Sequence, residues 1–322
     1  MKAGIYAIMW LCDSHTVIII LSILKTVVSY CPDTNHWSVW WTYEGSNSGP
    51  SVWGARNKDW AICKTGKNQS PIDILPNSLL YDPQLQPLKI ETASVNGVLR
   101  NNKKDLTFLI SNKFEPAVNI TSGPLSYTYK LYQIKLHYGR LNTTGSEHRI
   151  DGKSFSGELQ FMAYNSELYA NHSEAQKNPR GIAIIAVFLS IGDTGNSAFE
   201  MFRQKFVLIT STDTCTDLHG LPIDKLLPRT DQYMTYSGSL TQPGCKETVT
   251  WILLNKPIYI SYKQMEDLRE TPYQEWMNSN ARPVMPLNHR TVRTNINFRK
   301  TTRLCSMKIS KKYEANPEVG QR

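Results

Sequence analysis

The chain has 322 residues, of which 40% are hydrophobic and 20% are charged, and its formal net charge is +9. This composition is typical of a folded globular protein with a sizeable core, and it excludes a largely disordered or collagen-like chain. An excess of basic residues can indicate a nucleic-acid or membrane partner. Whether it does so here depends on where the basic residues lie along the chain.

The first 29 residues differ from the rest of the chain. Lys2 precedes mixed apolar sequence and the run VIIILSIL, and small residues precede Tyr30 as they do at a cleavage site. We predict a signal peptide over residues 1–29 and a secreted, extracellular protein that meets membranes only through a partner. The alternative is an uncleaved membrane anchor, but the apolar stretch falls short of the ~20 residues of a spanning helix and is interrupted by Asp13, His15 and Lys25.

In a secreted protein, N-x-S/T sequons can be glycosylated and cysteines can form disulfides. We predict N-glycosylation at three sequons, Asn119, Asn142 and Asn171. Beyond the signal segment the chain has five cysteines, Cys31, Cys63, Cys215, Cys245 and Cys305. Because five is odd, at least one thiol is free or bonds to another chain in an oxidising compartment.

The positive charge is concentrated at the C-terminus. Residues 299–322 carry a net charge of +5 and residues 1–29 a net charge of +1, which leaves +3 for residues 30–298. A nearly neutral body argues against a nucleic-acid groove. We therefore predict a signal peptide, a folded domain over 30–298 and a basic, solvated tail over 299–322, with no nucleic-acid partner.

Strand-like segments outnumber helix-like segments along the body. The predicted strands are rich in β-branched and aromatic residues and are, in chain order, LTFLISN (106–112), AVNIT (117–121), YKLYQIKLHYG (129–139), GELQFMAYN (157–165), GIAIIAVFLSIG (181–192), KFVLIT (205–210) and TVTWILLNKPIYIS (248–261). The predicted helices are short, at SAFEMFRQKF (197–206) and YKQMEDLRE (262–270). This pattern indicates one α+β domain, predominantly β, built on a large, mainly antiparallel sheet with short surface helices.

Two of these strands place polar side chains toward a common space. Because side chains alternate between the two faces of a strand, Lys135 and His137 share one face of segment 129–139. The polar face of segment 157–165 carries Glu158 and Gln160.

Several longer motifs make the sequence resemble the α-class carbonic anhydrases over roughly residues 37–298. The motifs occur in family order and are GKNQSPIDI, GSEH (145–148), YSGSLTQPGCKETVTWILLNKPIYIS and ARPVMPLNHRTVRTNINF. The resemblance implies a twisted, mainly antiparallel sheet of about ten strands with a conical cleft. At the base of that cleft, active members hold zinc with an H-x-H pair on one strand and a third histidine on its neighbour.

In this chain the three ligand positions of the family fall on Lys135, His137 and Gln160. A protonated lysine has no lone pair and repels a dication, and a glutamine amide is a weak ligand. A catalytic zinc site uses three protein ligands, so the resemblance implies an acatalytic protein with no zinc and no other cofactor. We expect Lys135 to pair with Glu158 or another carboxylate, because an unpaired buried ammonium is costly.

The resemblance also implies roles for the surrounding residues. Glu147 and Thr241 match the pair that orients the zinc-bound hydroxide in active members, and Glu158 matches the carboxylate that supports the third histidine. Without the metal, we expect these side chains to hold buried hydrogen bonds. Cys63 and Cys245 match the disulfide pair of extracellular members, which leaves no assigned partner for Cys31, Cys215 and Cys305.

The changes at the ligand positions resemble the secreted carbonic anhydrase-related proteins of the ten/eleven branch, as do SGELQ, YNSELYANHSEA and RTNINF. Lys135 departs from the arginine expected there. The branch is regarded as acatalytic, which implies that the partner is an extracellular or cell-surface protein such as a neurexin-type neuronal receptor. Two alternatives stay open: a weakly active zinc-dependent carbonic anhydrase, and a matrix component without a specific receptor.

Overall fold

A computed structural model describes residues 29–30, 40–91, 94–102, 104–111, 117–209, 211, 213–270 and 279–298. The strands are β1 Ser29–Tyr30, β2 Asp73–Ile74, β3 Leu80–Tyr81, β4 Leu88–Ile90, β5 Ser94–Asn101, β6 Leu106–Ile110, β7 Asn119–Ser122, β8 Tyr129–Tyr138, β9 Arg149–Ile150, β10 Gly157–Asn165, β11 Ile182–Gly192, β12 Thr214–Pro222, β13 Tyr233–Gly238, β14 Val249–Leu254, β15 Ile258–Ser261 and β16 Arg293–Thr294. The helices are α1 Trp53–Arg56, α2 Ile62–Thr65, α3 His172–Ala175, α4 Ser197–Phe206 and α5 Tyr262–Arg269. Short 3₁₀ turns cover Lys58–Trp60, Pro76–Ser78 and Ile223–Leu226.

One sheet of fourteen strands organises the described part of the chain. Its strand order is β1-β12-β5-β6-β8-β10-β11-β14-β13-β16-β3, with β15 beside β11 and with β4 and β7 joined to β8. Most neighbours are antiparallel, but β14 and β15 both run parallel to β11. The prediction of a large, mainly antiparallel sheet with short helices is confirmed.

The strand predictions need correction in three places. The prediction of a strand over 205–210 is wrong, because Lys205 and Phe206 belong to α4 and a turn follows. Phe206 extends the helical spacing of the buried Phe199 and Phe202. Segment 248–261 divides into β14 and β15, since Pro257 cannot donate a hydrogen bond to a ladder. The sequence analysis also missed β5, β12 and β13.

The sheet is buried on both faces. Ile134 and Leu136 of β8 join Leu159 and Phe161 of β10 in a core that α4 covers. The opposite face carries a second core, in which Met162, Phe188 and Trp251 pack. Burying one such side chain fully is worth about 1.5–3 kcal/mol, so alternation along β8 and β10 fixes which face the polar residues take.

The ends of the chain fall largely outside this description. The predicted cleavage point before Tyr30 lies between the two residues of β1, and most of segment 1–29 and all of tail 299–322 lie outside the described residues. Within the parts of the chain given above, no helix has the length and apolar character needed to cross a lipid bilayer.

Candidate functional site

The structure brings Lys135, His137 and Gln160 together at the centre of the sheet. In the antiparallel pairing of β8 with β10, Gln160 lies opposite Lys135 and Glu158 lies opposite His137. The exposed fractions of Lys135, His137 and Gln160 are 6%, 0% and 1%. These polar side chains must therefore find partners inside the protein.

Lys135 finds its partner in Asp105. The Lys135 Nζ donates to Asp105 Oδ2 at 2.9 Å, and neither side chain is appreciably exposed. Of the expected partners, Glu158 or another carboxylate, the structure selects the second. Asp105 lies two residues before Thr107, which is opposite Lys135 in the pairing of β6 with β8, so the carboxylate is on the same face as the ammonium.

Asp105 accepts further hydrogen bonds from two sequence neighbours and from one distant loop. Gln242 Nε2 donates to Oδ2 at 2.6 Å, and Thr107 Oγ1 and Asn102 Nδ2 donate to Oδ1 at 2.7 and 2.9 Å. Burial alone would raise the pKa of the Asp105 carboxyl, but the charge of Lys135 and the hydrogen bond from Thr107 outweigh it, so its pKa is lowered. Asp105 is therefore an ionised carboxylate at neutral pH.

Gln160 joins the carboxylate of Glu147, in the loop between β8 and β9, to that of Glu158 on its own strand, β10. Its Nε2 donates to Glu147 Oε2 at 2.7 Å and to Glu158 Oε1 at 3.0 Å. Ionised carboxylates only accept, so the amide nitrogen must face them. The part of Gln160 that faces these groups is a donor and offers no lone pair to a cation.

Glu158 is held mainly by His148. Its two oxygens accept from the backbone N–H of His148 at 2.9 Å and from His148 Nδ1 at 3.0 Å. Burial would raise the pKa of the Glu158 carboxyl, but the charge and hydrogen bonds of His148 lower it to about 2. His148 Nε2 in turn contacts the Tyr236 hydroxyl at 2.7 Å.

Glu147 bonds differently from the pair that the resemblance implies. Its Oε1 accepts the backbone N–H of Arg282 at 3.0 Å, and Gln160 occupies its Oε2. Thr241 is buried in the loop after β13, and none of the hydrogen bonds between described residues joins it to Glu147. Both carboxylate oxygens of Glu147 therefore accept hydrogen bonds from the protein.

His137 keeps the disposition of a metal-binding imidazole. Its Nδ1 lies 2.8 Å from the backbone oxygen of Asn280, an acceptor, so Nδ1 carries the proton and a neutral ring presents a lone pair at Nε2. Nε2 is buried with no hydrogen-bond partner, and the nearest carboxylate oxygen, Glu147 Oε2, is 3.6 Å away.

These residues do not fit the three-imidazole zinc site of the active enzymes. Only His137 supplies an imidazole nitrogen, Lys135 is bonded to Asp105, and Gln160 presents a donor. Among the residues that the structure describes, no group of three or more His, Cys, Asp or Glu side chains is arranged to hold a metal ion. Of the other histidines, His148 is bonded to Glu158 and His172 stacks on Tyr132 at 4.7 Å.

The structure also places the predicted disulfide and the sequons. Cys63 and Cys245 are bonded, with a Cα–Cα distance of 5.0 Å, which confirms the disulfide. Cys215 is also in a disulfide, and Cys31 and Cys305 lie outside the described residues. Asn142 and Asn171 are exposed, whereas Asn119 is half-buried within β7; glycosylation at the three stays a prediction.

Comparison with known proteins places this chain in a family. The family model for eukaryotic-type carbonic anhydrase matches residues 48–296. A Caenorhabditis elegans protein described as "Putative carbonic anhydrase-like protein 2" is 38% identical over 291 residues, which cover 85% of this chain and 86% of that protein. The chain belongs to the eukaryotic-type carbonic anhydrase family.

Sequence reasoning missed two residues that shape the site. Asp105 lies directly before β6 and Gln242 lies in a loop, so neither residue belongs to a strand with alternating polar side chains. Thr107, opposite Lys135, is the signal that could have located Asp105, had the pairing of β6 with β8 been known.

Proposed function

We propose that this chain is a secreted, acatalytic member of the carbonic anhydrase family that acts as an extracellular binding protein. The observation that carries the proposal is the buried pair of Lys135 with Asp105. An ammonium stands where active members have the first zinc-binding imidazole, and a carboxylate holds it there. A dication at this point would have to displace a cation that is already charge-paired and desolvated.

Metal analysis is the direct test of the acatalytic part. Protein purified under zinc-replete conditions should contain substoichiometric zinc and should hydrate carbon dioxide no faster than buffer. An active member of the family, carried through the same purification, controls for loss of metal. Stoichiometric, chelator-sensitive zinc with measurable turnover would overturn the proposal.

A weakly active zinc-dependent carbonic anhydrase is the second candidate. The unpartnered Nε2 of His137, close to Glu147, favours it, because that nitrogen is free to bind a cation. Substitution of His137 by Gln separates the two candidates. A weak enzyme would lose its zinc and its turnover, whereas an acatalytic protein would show the same zinc content and background rate before and after the change.

The binding role is supported by the resemblance to secreted carbonic anhydrase-related proteins. We propose an extracellular or cell-surface partner, with a neurexin-type neuronal receptor as the first to test. Purified protein should bind cells that display such a receptor and not the parental cells. A His137→Gln variant should bind equally well, since recognition through the outer surface does not need the cleft. Equal binding to both cell types would instead favour a matrix component without a specific receptor.

A further inference from the structure

A polar pocket of about 300 Å³ lies against β13 and β14, and its lining includes Tyr236, whose hydroxyl contacts His148 of the candidate site. It is bounded by the turn between β7 and β8, by the segment before β11, and by β13, β14 and β16. The polar residues of its lining that matter here are Tyr127, Arg180, Thr235, Ser237, Thr250 and Arg293. Thr235 pairs with Ile252, a member of the core that Leu159 and Phe161 share. On β10, Gln160 lies between Leu159 and Phe161, so its side chain is on the opposite face of the sheet from theirs. The face of Thr235 is therefore opposite to that of Gln160.

Arg180 lines this pocket, and hydrogen bonds to its carbonyl oxygen hold its backbone in place. Its φ is 55°, in the left-handed region that residues with side chains rarely adopt. Its carbonyl oxygen accepts hydrogen bonds from Tyr129 Oη at 2.7 Å and Asn165 Nδ2 at 3.3 Å. No acidic side chain among the described residues pairs with the exposed Arg180 guanidinium. A non-glycine residue in this conformation, with a free guanidinium at a pocket, points to a binding role.

The floor of the pocket supplies a hydroxyl that lacks a partner. Thr235 is 1% exposed, and none of the hydrogen bonds between described residues uses its side chain. This hydroxyl is not fully enclosed by protein atoms, so it is open to the pocket and can bond to a ligand oxygen. Arg293, opposite Thr235 in the pairing of β13 with β16, adds a second guanidinium, which Asp82 Oδ2 partly neutralises at 2.9 Å.

The pocket's chemistry selects the class of ligand. Guanidinium groups match the geometry of carboxylate and sulfate oxygens, and Ser and Thr hydroxyls both donate to and accept from sugar hydroxyls. The volume is at the small end of the range for ligand sites, which suits one sugar-sized unit. A peptide added as an extra strand does not fit, because β13 is already paired on both sides by β14 and β16.

We propose that this pocket binds an acidic saccharide unit, with Arg180 holding the oxyanion and Thr235 bonding to a sugar hydroxyl. This site is separate from the cleft and does not depend on the receptor role. A carboxylate and a sulfate are the two sources of the oxyanion, and the test distinguishes them.

Calorimetric titration of the full-length protein tests the proposal with four sugars. Glucuronic acid supplies the carboxylate and N-acetylglucosamine 6-sulfate supplies the sulfate, while glucose and N-acetylglucosamine are the neutral controls. At least one acidic sugar should bind with a Kd of ~0.1–1 mM, and the neutral sugars should bind at least about tenfold more weakly. Whichever acidic sugar binds more tightly identifies the source.

Three variants connect binding to the pocket. Arg180→Gly removes the guanidinium but suits the left-handed backbone, so it should fold and weaken binding by about tenfold or more. Thr235→Val keeps the shape and removes the hydroxyl, and should weaken binding about fivefold. Lys177→Gln removes an exposed charge outside the pocket lining and should leave the Kd unchanged.

Several outcomes would overturn the proposal. They are the absence of binding by both acidic sugars up to ~10 mM, an unchanged Kd in Arg180→Gly, and inorganic sulfate binding as tightly as the sugar sulfate. Tighter, Arg180-dependent binding of an acidic peptide would replace the saccharide with another ligand class. If circular dichroism shows that Thr235→Val is misfolded, Arg180→Gly decides alone.

Discussion

Asp105 and Lys135 form an ion pair inside the protein, at a position where the family resemblance predicts a metal ligand in active members. Burying two charges costs several kcal/mol per ion, and attraction offsets this only when the remaining hydrogen-bonding capacity is also satisfied. Asp105 meets that condition, since Thr107, Asn102 and Gln242 also donate to it. The pair therefore links β6, β8 and the loop after β13 at the base of the cleft.

Removing one member of this pair should be strongly destabilising. Lys135→Met leaves Asp105 ionised and without its counter-charge, which should lower the free energy of unfolding by about 3–5 kcal/mol. The double variant Lys135→Met, Asp105→Leu should recover most of that loss. The exposed pair of Arg229 with Asp231 is the control, where Arg229→Ala should cost less than about 1 kcal/mol. Urea unfolding measures all three, and additive losses in the double variant would contradict a coupled pair.

The lowered pKa values of Asp105 and Glu158 predict a loss of stability in acid. A carboxyl whose pKa is lower in the folded state contributes stability above its unfolded pKa and loses that contribution as pH falls toward the folded value. For Glu158 this window runs from 4.5 down to about 2. The urea midpoint should therefore fall as the pH drops below about 4.5. Glu158→Gln should lower the midpoint at neutral pH but reduce its further fall in acid, and an identical acid limb in both proteins would contradict this assignment.

Restoring the zinc ligands tests how much of the metal site remains. Lys135→His with Gln160→His should recover zinc binding, because His137 Nε2 has no hydrogen-bond partner and lies beside the two substituted positions on paired strands. The change removes the cation beside Asp105, so adding Asp105→Asn should restore stability to the double variant. Metal analysis of the purified variants gives the zinc content, and either histidine alone should recover much less. A folded triple variant that binds no zinc would show that the ligand geometry of the family has been lost.

Sequence reasoning located the site residues on β8 and β10 but missed Asp105, which precedes β6. A period of two along β8 and β10 was enough to place Lys135, His137 and Gln160 on one face. Asp105 is separated from Lys135 by 30 residues, and only the pairing of β6 with β8 brings the two together. The hydrogen bond of Gln160 to Glu147 was likewise hidden, since it depends on side-chain rotamers and not on spacing.

At the scale of elements, the disulfide connects α2 to the loop after β13. Cys63 and Cys245 are separated by 182 residues and are packed with Trp41, Tyr43 and Trp53. The loop that contributes Gln242 to Asp105 is thus tied covalently to the N-terminal segment.

Loss of this disulfide should lower both stability and secretion. Cys63→Ser should cost about 2–5 kcal/mol, because a native cross-link over a long loop restricts the unfolded chain. Thr144→Ala, which removes the Asn142 sequon at an exposed position, is the control and should affect secretion less. Peptide mapping without reduction should recover the Cys63–Cys245 link from secreted wild-type protein. Free alkylation of both thiols in native secreted material would contradict it.

Element prediction succeeded where one periodicity dominated and failed where two competed. The helices α4 and α5 matched their predicted segments because apolar residues recur at helical spacing. Segment 205–210 combined the end of that helical pattern with a β-branched run, and the packing of Phe206 into the core decided for the helix. The strand β5 escaped notice because Asn96, Gly97 and Arg100 interrupt its apolar character.

At the scale of the whole molecule, the positive charge is concentrated in residues 299–322, beyond the described sheet. Phe298, the last described residue, packs against the second core, so the folded domain extends at least to that point. Tail 299–322 carries a net charge of +5 and contains Cys305. We propose that the tail engages the receptor while the sheet domain serves as its platform.

Truncation after Phe298 and the substitution Cys305→Ser test this division of roles. The cut preserves the last core contact, so the shortened protein should fold and be secreted normally. Basic charge speeds encounter with an acidic partner and makes association sensitive to salt. The truncated protein should therefore bind receptor-bearing cells more weakly and with less dependence on salt, and Cys305→Ser should abolish any reducible high-mass complex. Should both variants bind as the full chain does, with the same salt dependence and the same complex, recognition must lie on the sheet domain.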